Sequence, residues 1–223
     1  MTLRTFQRLV AELGAQGTSP CVIGLRPGNI DERSCQRLAS GAARLAAGLS
    51  QRGIGRGDPV GICAENSPEW IVTSLGVLTA GGTVVPIDAQ FGDEALAHVL
   101  HDRGAKLLFA SRNVADRLKH LKIMPGSKQI MLSAAGLEGL MSDEPARFPY
   151  VETSDVAVLF YTSGATGKNF RAARHLGDAD NPKARFGTNT PGRPETGGDH
   201  HSQCHLADAA RYEDCAPAPC RFQ

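Results

Sequence analysis

Short apolar runs alternate with amphipathic segments along the first three quarters of this 223-residue chain, and this alternation restricts the fold more than any other feature. Residues 59–63, 83–87 and 107–109 are compact runs of mainly aliphatic and β-branched side chains, which are typical of strands buried on both faces of a sheet. The segments between them carry apolar residues at helical spacing. Strands joined by single helices form βαβ units, in which the strands run parallel. We therefore predict an α/β fold in which helices flank a mainly parallel sheet.

The same periodicity places the other elements of the predicted fold. It predicts further helices at 6–13, 32–52, 67–80, 93–100 and 114–121, and further strands at 21–25, 129–132 and 156–160. Closely spaced glycines at 53–57 follow a helix and precede a strand, whereas a dinucleotide-binding loop follows a strand and precedes a helix. We therefore interpret these glycines as a helix C-terminus and a turn. Trp70 is interpreted as a core residue rather than a platform for a ligand.

Charge and hydropathy exclude several classes of protein. The formal net charge of +1 favours neither nucleic acid nor an anionic membrane surface as a partner. No run of 18 apolar residues is present, and the N-terminus lacks the features of a signal peptide. We therefore expect a cytoplasmic protein whose six cysteines are reduced thiols. His98 and His101 have a spacing that could serve a metal, but no third ligand is near in the sequence, so we interpret them as solvated helix residues.

The predicted strand at 156–160 ends abruptly in a segment of hydroxyl residues and glycines. Glycine lets backbone N–H groups turn toward one point, and hydroxyl and ammonium groups donate hydrogen bonds to phosphate oxygens. These donors and glycines are Thr162, Ser163, Gly164, Thr166, Gly167 and Lys168. The composition is that of an anion-binding loop, but also that of an ordinary surface loop. It is not a Walker A loop, because the first glycine of that motif would fall at Thr162 and the residue after Lys168 is Asn169.

The run YTSGATGK, from Tyr161 to Lys168, resembles the phosphate-binding signature of the AMP-forming adenylating enzymes. This superfamily includes acyl-CoA synthetases, luciferases and the adenylation domains of peptide synthetases. Residues 44–62 and 65–88 are similar to upstream parts of the same family, and the three matches occur in the family's order. The resemblance covers about residues 30–168. It implies that residues 1–168 are the incomplete N-terminal part of the large AMP-binding domain of such an enzyme.

The resemblance also implies a reaction and a set of ligands. In this family a carboxylate attacks the α-phosphorus of ATP, pyrophosphate leaves, and a thiol such as that of coenzyme A then displaces AMP. The implied cofactors are ATP, Mg²⁺ and coenzyme A, and the implied partners are a small carboxylic acid and a nucleotide. The β and γ phosphates would be held by Thr162, Ser163, Gly164, Thr166, Gly167 and Lys168. Residues 85–111 resemble acyl-CoA or fatty-acid ligases more than amino-acid adenylation domains, which favours a fatty acyl or related carboxylate.

The chain departs from the family after Lys168, where Asn169, Phe170 and Arg171 replace the expected proline, lysine and glycine. Ala165 also replaces a residue that is usually a hydroxyl residue. The segment 169–223 contains very few aliphatic residues, too few to offset the entropy of ordering a backbone. We therefore predict that residues 169–223 are a disordered, out-of-frame tail, and that the chain is a truncated ligase, inactive as it stands.

Two alternatives and one further expectation follow from this departure. The chain could be a non-catalytic fragment that binds a nucleotide or a protein partner. The tail could be a zinc-binding module, although the spacing of its ligands matches no regular zinc finger. Its candidate zinc ligands are His200, His201, Cys204, His205, Cys215 and Cys220. A sheet that is left uncovered could also cause self-association.

Overall fold

The structure is a computed structural model that describes residues 5–26, 29–102, 104–122, 124–152, 154–163, 169–175, 187–188 and 220–222. The helices are α1 (Phe6–Ala15), α2 (Cys35–Gln51), α3 (Pro68–Thr79), α4 (Asp93–Asp102), α5 (Arg112–Leu121) and α6 (Ala134–Glu138). The strands are β1 (Pro20–Arg26), β2 (Asn29–Ser34), β3 (Pro59–Cys63), β4 (Thr83–Ile87), β5 (Leu107–Ala110), β6 (Gln129–Met131), β7 (Val156–Ser163), β8 (Asn169–His175), β9 (Gly187–Thr188) and β10 (Cys220–Phe222). Within the described ranges, no helix combines the length and the hydropathy needed to cross a membrane.

The main sheet confirms the predicted α/β architecture. Its strand order is β6-β5-β3-β4-β7-β8-β9, and the first five of these strands are parallel. β8 and β9 extend the sheet antiparallel beyond β7. Each predicted strand from residue 59 to residue 160 is present; β3, β4, β5 and β7 lie inside the sheet, where compact apolar runs are buried on both faces, and β6 lies at its edge.

The two faces of the sheet pack against two helical layers. On one face, Val60, Ile62 and Val84 join an apolar cluster with α2 and α3. On the other face, Val85 and Ile87 join a cluster with α4 and α5. Successive residues of β4 thus enter opposite cores, as the period of two of a strand requires.

The helix predicted at 32–52 is wrong at its N-terminal end. Residues up to Ser34 form β2, which pairs antiparallel with β1 in a smaller sheet that also contains β10. The helix begins at Cys35, and the Ser34 hydroxyl accepts a hydrogen bond from the Arg37 backbone N–H, 3.3 Å away. β2 was missed because its polar sequence lacks an apolar alternation, so its pairing with β1 determines its conformation.

The tail is described only in part. Three of its segments form the strands β8, β9 and β10, and the other residues between 169 and 223 lie outside the described residues. β8 pairs with β7 from His175 opposite Val156 to Asn169 opposite Ser163. The division of the chain at residue 168, and the disorder expected beyond it, stay predictions.

Candidate functional site

The carboxyl ends of β3, β4 and β7 lie at the same edge of the sheet, since these strands are parallel neighbours. From β3 the chain passes to β4 on one side, and it then crosses back to β5 on the other side of β3. In open α/β sheets, ligands bind outside the carboxyl ends of the strands, at the point where the strand order reverses. The edge formed by β3, β4 and β7 is therefore the candidate functional site.

The predicted phosphate-binding segment starts at this edge. Thr162 and Ser163 are the last two residues of β7, and their backbones pair with Phe170 and Asn169 of β8. The other predicted residues, Gly164, Thr166, Gly167 and Lys168, lie outside the described residues, as does Ala165. The segment 164–168 thus connects two paired strand ends, and its role in binding phosphate stays a prediction.

Strand β7 is held firmly on its β4 side. Val158 pairs with Val84, and the Thr83 hydroxyl donates to the Val156 carbonyl oxygen at 2.7 Å. Tyr161 is 8% exposed, and its hydroxyl donates to Asp102 Oδ2 at 2.5 Å. The residue directly before the predicted phosphate-binding residues is therefore fixed to the end of α4.

A turn at residues 88–93 follows β4, the strand that pairs with β7. Within the turn, the backbone N–H of Gln90 donates to Asp88 Oδ1 at 2.8 Å, and that of Phe91 donates to the Asp88 carbonyl oxygen at 3.0 Å. Arg117 of α5 reaches across to the same turn and binds two of its carbonyl oxygens. The sequence predicted a loop here, but gave no signal that Arg117 holds it. A basic residue on a helix face has the same appearance in a sequence whether it is solvated or bound.

Cys63 ends β3 at this edge and is a buried thiol rather than a nucleophile. Its pKa is raised to about 12, mainly by burial; the charge of Arg117 lowers the pKa, and the charges of Asp88 and Glu65 raise it, and these effects are included in that value. The reactive form of cysteine is the thiolate, so the protonated Cys63 is unreactive near neutral pH. Among the described residues, Cys35 and Cys63 are free thiols, and the reduced state of all six cysteines stays a prediction.

Metal-binding side chains were a second candidate feature. His98 and His101 are exposed on α4, which agrees with their interpretation as solvated residues. Within the part of the chain that the structure describes, no group of three or more histidine, cysteine or acidic side chains is arranged to hold a metal. Of the tail's candidate zinc ligands, the backbone of Cys220 is described in β10, and the others lie outside the described residues.

Comparison with known proteins gives a consistent result. A family model described as AMP-binding enzyme matches residues 13–169. Tyrocidine synthase 3 of Brevibacillus parabrevis is 34% identical over 143 residues, which cover 60% of this chain and 2% of that protein. Gramicidin S synthase 2 of Brevibacillus brevis is 34% identical over 145 residues, which cover 62% of this chain and 3% of that protein.

Solved structures share the fold at lower identity. A protein of Rhodopseudomonas palustris, described as a long-chain-fatty-acid CoA ligase, superposes with a TM-score of 0.68 and 22% identity over 78% of this chain and 45% of that chain. The nonribosomal peptide synthetase FmoA3 superposes with a TM-score of 0.64 and 23% identity over 78% of this chain and 17% of that chain. This chain therefore spans a small part of the synthases and less than half of either of these solved structures.

Proposed function

This chain belongs to the AMP-binding enzyme family, and we propose that it carries the nucleotide-phosphate site of an adenylate-forming acid–thiol ligase. In the first step, a carboxylate oxygen forms a bond to the α-phosphorus of ATP while the bond to pyrophosphate breaks. In the second step, a thiol takes the acyl group and AMP leaves. The observation that supports this proposal is the position of Thr162 and Ser163 at the carboxyl end of β7, at the edge where α/β sheets bind ligands.

The proposed phosphate contacts fit the chemistry of the residues that follow β7. Glycines leave the backbone N–H groups accessible, and the hydroxyl and ammonium groups donate charge-assisted hydrogen bonds to the β and γ phosphates. These residues are Thr162, Ser163, Gly164, Thr166, Gly167 and Lys168. Mg²⁺ would neutralise phosphate charge, and it is usually held by phosphate oxygens and one or two carboxylates.

For the acid and the thiol that react, we propose only the chemical class. The sequence favours a fatty acyl or related carboxylate with coenzyme A as the thiol, and the fold similarity to a long-chain-fatty-acid CoA ligase is consistent with this choice. An amino acid is the second candidate, because Tyrocidine synthase 3 and Gramicidin S synthase 2 are among the most similar relatives. Product formation with a panel of fatty acids and amino acids distinguishes the two in any longer form of the protein.

We further propose that the 223-residue chain binds Mg·ATP without completing catalysis. The solved relative of Rhodopseudomonas palustris is about twice the length that this chain covers. Equilibrium binding and ATP–pyrophosphate exchange separate these two properties. Binding without exchange is the expected result, whereas exchange with any acid would show that the chain is an active enzyme.

The direct test of the phosphate site replaces Lys168 by methionine. A hydrogen bond to a charged group contributes about 1.5–3 kcal/mol, so K168M should weaken Mg·ATP binding by roughly 10- to 100-fold. Lys128 is exposed at the end of a short 3-10 helix, just before β6 begins at Gln129, and so lies at the amino end of that parallel strand. K128M is therefore the matched control and should bind like the wild type. Equal affinity of K168M and the wild type in calorimetric titration would contradict the assignment.

Self-association and location stay proposals as well. We propose self-association through a sheet that a truncated α/β domain leaves uncovered, as predicted from the sequence. A monomer in light scattering at high protein concentration would contradict that association. The cytoplasmic location predicted from the sequence is tested by cell fractionation.

A further inference from the structure

The turn at residues 88–93 lies next to the start of the predicted phosphate-binding segment. β4 and β7 are parallel neighbours, and Val84 pairs with Val158. Continuing this register to the last residue of β4 sets Ile87 beside Tyr161, at a strand spacing of about 5 Å, so the turn begins where the segment after Tyr161 begins. The conformation of the turn therefore bears on the position of the segment that begins at Thr162.

The guanidinium of Arg117 holds this turn by several hydrogen bonds at once. Its Nη1 donates to the Ala89 carbonyl oxygen at 2.9 Å, and its Nη2 donates to the Phe91 carbonyl oxygen at 2.6 Å. Asp93 Oδ1 accepts from Nη2 at 2.7 Å and from Nε at 3.2 Å. The donors on three nitrogens of a planar fork reach acceptors that lie apart, whereas the three donors of a lysine ammonium all lie on one nitrogen.

The helix that follows the turn is fixed at both ends. Arg117 holds its first residue, Asp93, and Tyr161 donates to its last residue, Asp102. Ala89 and Phe91 also pack against the apolar cluster that contains Tyr161. The turn, α4 and the end of β7 are therefore connected by side-chain contacts into one unit.

We propose that Arg117 is a positioning residue of the nucleotide site. It acts through the turn at 88–93, which supports the end of β7 and thereby the segment that contacts phosphate. Direct contact with a phosphate is not its role, because its donors already bind two carbonyl oxygens and Asp93. This inference rests on the proposed function, since it assumes that residues 162–168 bind the phosphates of ATP.

The test compares R117K with R112K in the full chain. Lysine keeps the positive charge at residue 117 but lacks the planar fork of donors. R117K should therefore weaken the binding of Mg·ATP and of inorganic tripolyphosphate to the same extent, by roughly three- to tenfold. Arg112 is exposed at the start of the same helix and makes none of these contacts, so R112K should bind like the wild type. Both titrations are done at a temperature well below the thermal unfolding midpoint of each variant. A change smaller than threefold in R117K overturns the proposal.

Hydrogen exchange separates a local effect from loss of the fold. In R117K, the amides of Gln90 and Phe91 and those at the end of β7 should exchange faster, while those of α2 stay unchanged. Asp93→Ala is the companion variant, because it removes one acceptor and leaves the two carbonyl contacts in place. Faster exchange in the turn without weaker Mg·ATP binding, in either variant, overturns the proposal. If the folded wild type binds neither Mg·ATP nor tripolyphosphate, the proposed function is wrong. If the wild type binds both and R117K binds them equally well, only the role proposed for Arg117 is wrong.

Discussion

Gly48 of α2 should not tolerate a side chain, although it lies in a helix where alanine is normally preferred. A Cβ built on Gly48 would lie 1.7 Å from the Leu140 carbonyl oxygen and 2.8 Å from the Leu140 carbonyl carbon. Both neighbours are backbone atoms, so no side-chain rotation can relieve the overlap. In G48A, the chain segment around Leu140 therefore has to move away from α2.

The cost of that movement follows from the contacts that hold the segment. Arg52 Nη1 donates to the carbonyl oxygens of Gly48 at 2.9 Å and of Leu140 at 3.2 Å. The Ser142 backbone N–H donates to the Arg44 carbonyl oxygen at 3.0 Å. Overpacking costs about 1–3 kcal/mol, each lost hydrogen bond costs about 1 kcal/mol, and alanine returns roughly 0.5–1 kcal/mol of helix propensity. We expect G48A to be less stable by about 2–4 kcal/mol.

Gly41 of the same helix provides the matched control. A Cβ on Gly41 would lie 3.4 Å from Val72 Cγ1, which is an ordinary contact. G41A should therefore gain stability by roughly 0.5–1 kcal/mol, so the two substitutions should have opposite signs. Thermal unfolding followed by far-ultraviolet circular dichroism measures both, and the midpoint of G48A should fall by about 4–16 °C. A G48A midpoint at or above that of the wild type would refute the packing argument.

Two further predictions concern single buried groups. The Thr73 hydroxyl is fully buried with no hydrogen-bond partner among the described atoms, so T73V, which keeps the shape, should raise the free energy of unfolding by about 1 kcal/mol; chemical denaturation showing a loss would contradict this. The Cys63 thiol has a folded-state pKa of about 12, raised from 9.0 mainly by burial, so its contribution to stability is complete below pH 9 and is lost as the pH rises from 9 toward 12. The free energy of unfolding measured between pH 8 and 10.5 should therefore decline less steeply in C63A than in the wild type, and parallel declines would show that the thiol does not contribute.

The sequence was sufficient for the five parallel strands β3 to β7 of the main sheet because local and tertiary signals agree there. The strands that begin at Pro59 and Thr83 are apolar on both faces, and the helix before each strand is followed by glycines that form a turn. β2 was missed because its polar residues have no strand-like alternation, and long-range pairing with β1 overrides local preference. Arg117 was missed for a related reason. Its contacts span more than 20 residues of sequence, and periodicity carries no information about such a distance.

In the candidate site too, the motif indicates the chemistry of the residues, whereas only tertiary contacts reveal what holds them in place. The residue types at 162–168 predict phosphate chemistry, but residue types alone do not determine the geometry of a binding site. The described structure supplies rigidity from outside the motif, through the hydrogen bond from Tyr161 to Asp102, the pairing of β7 with β4, and the turn held by Arg117. A ligand loses less entropy in binding to a loop whose ends are already fixed. We therefore expect phosphate affinity to depend on residues that contact no phosphate, and selection of the acid to depend on other parts of the domain.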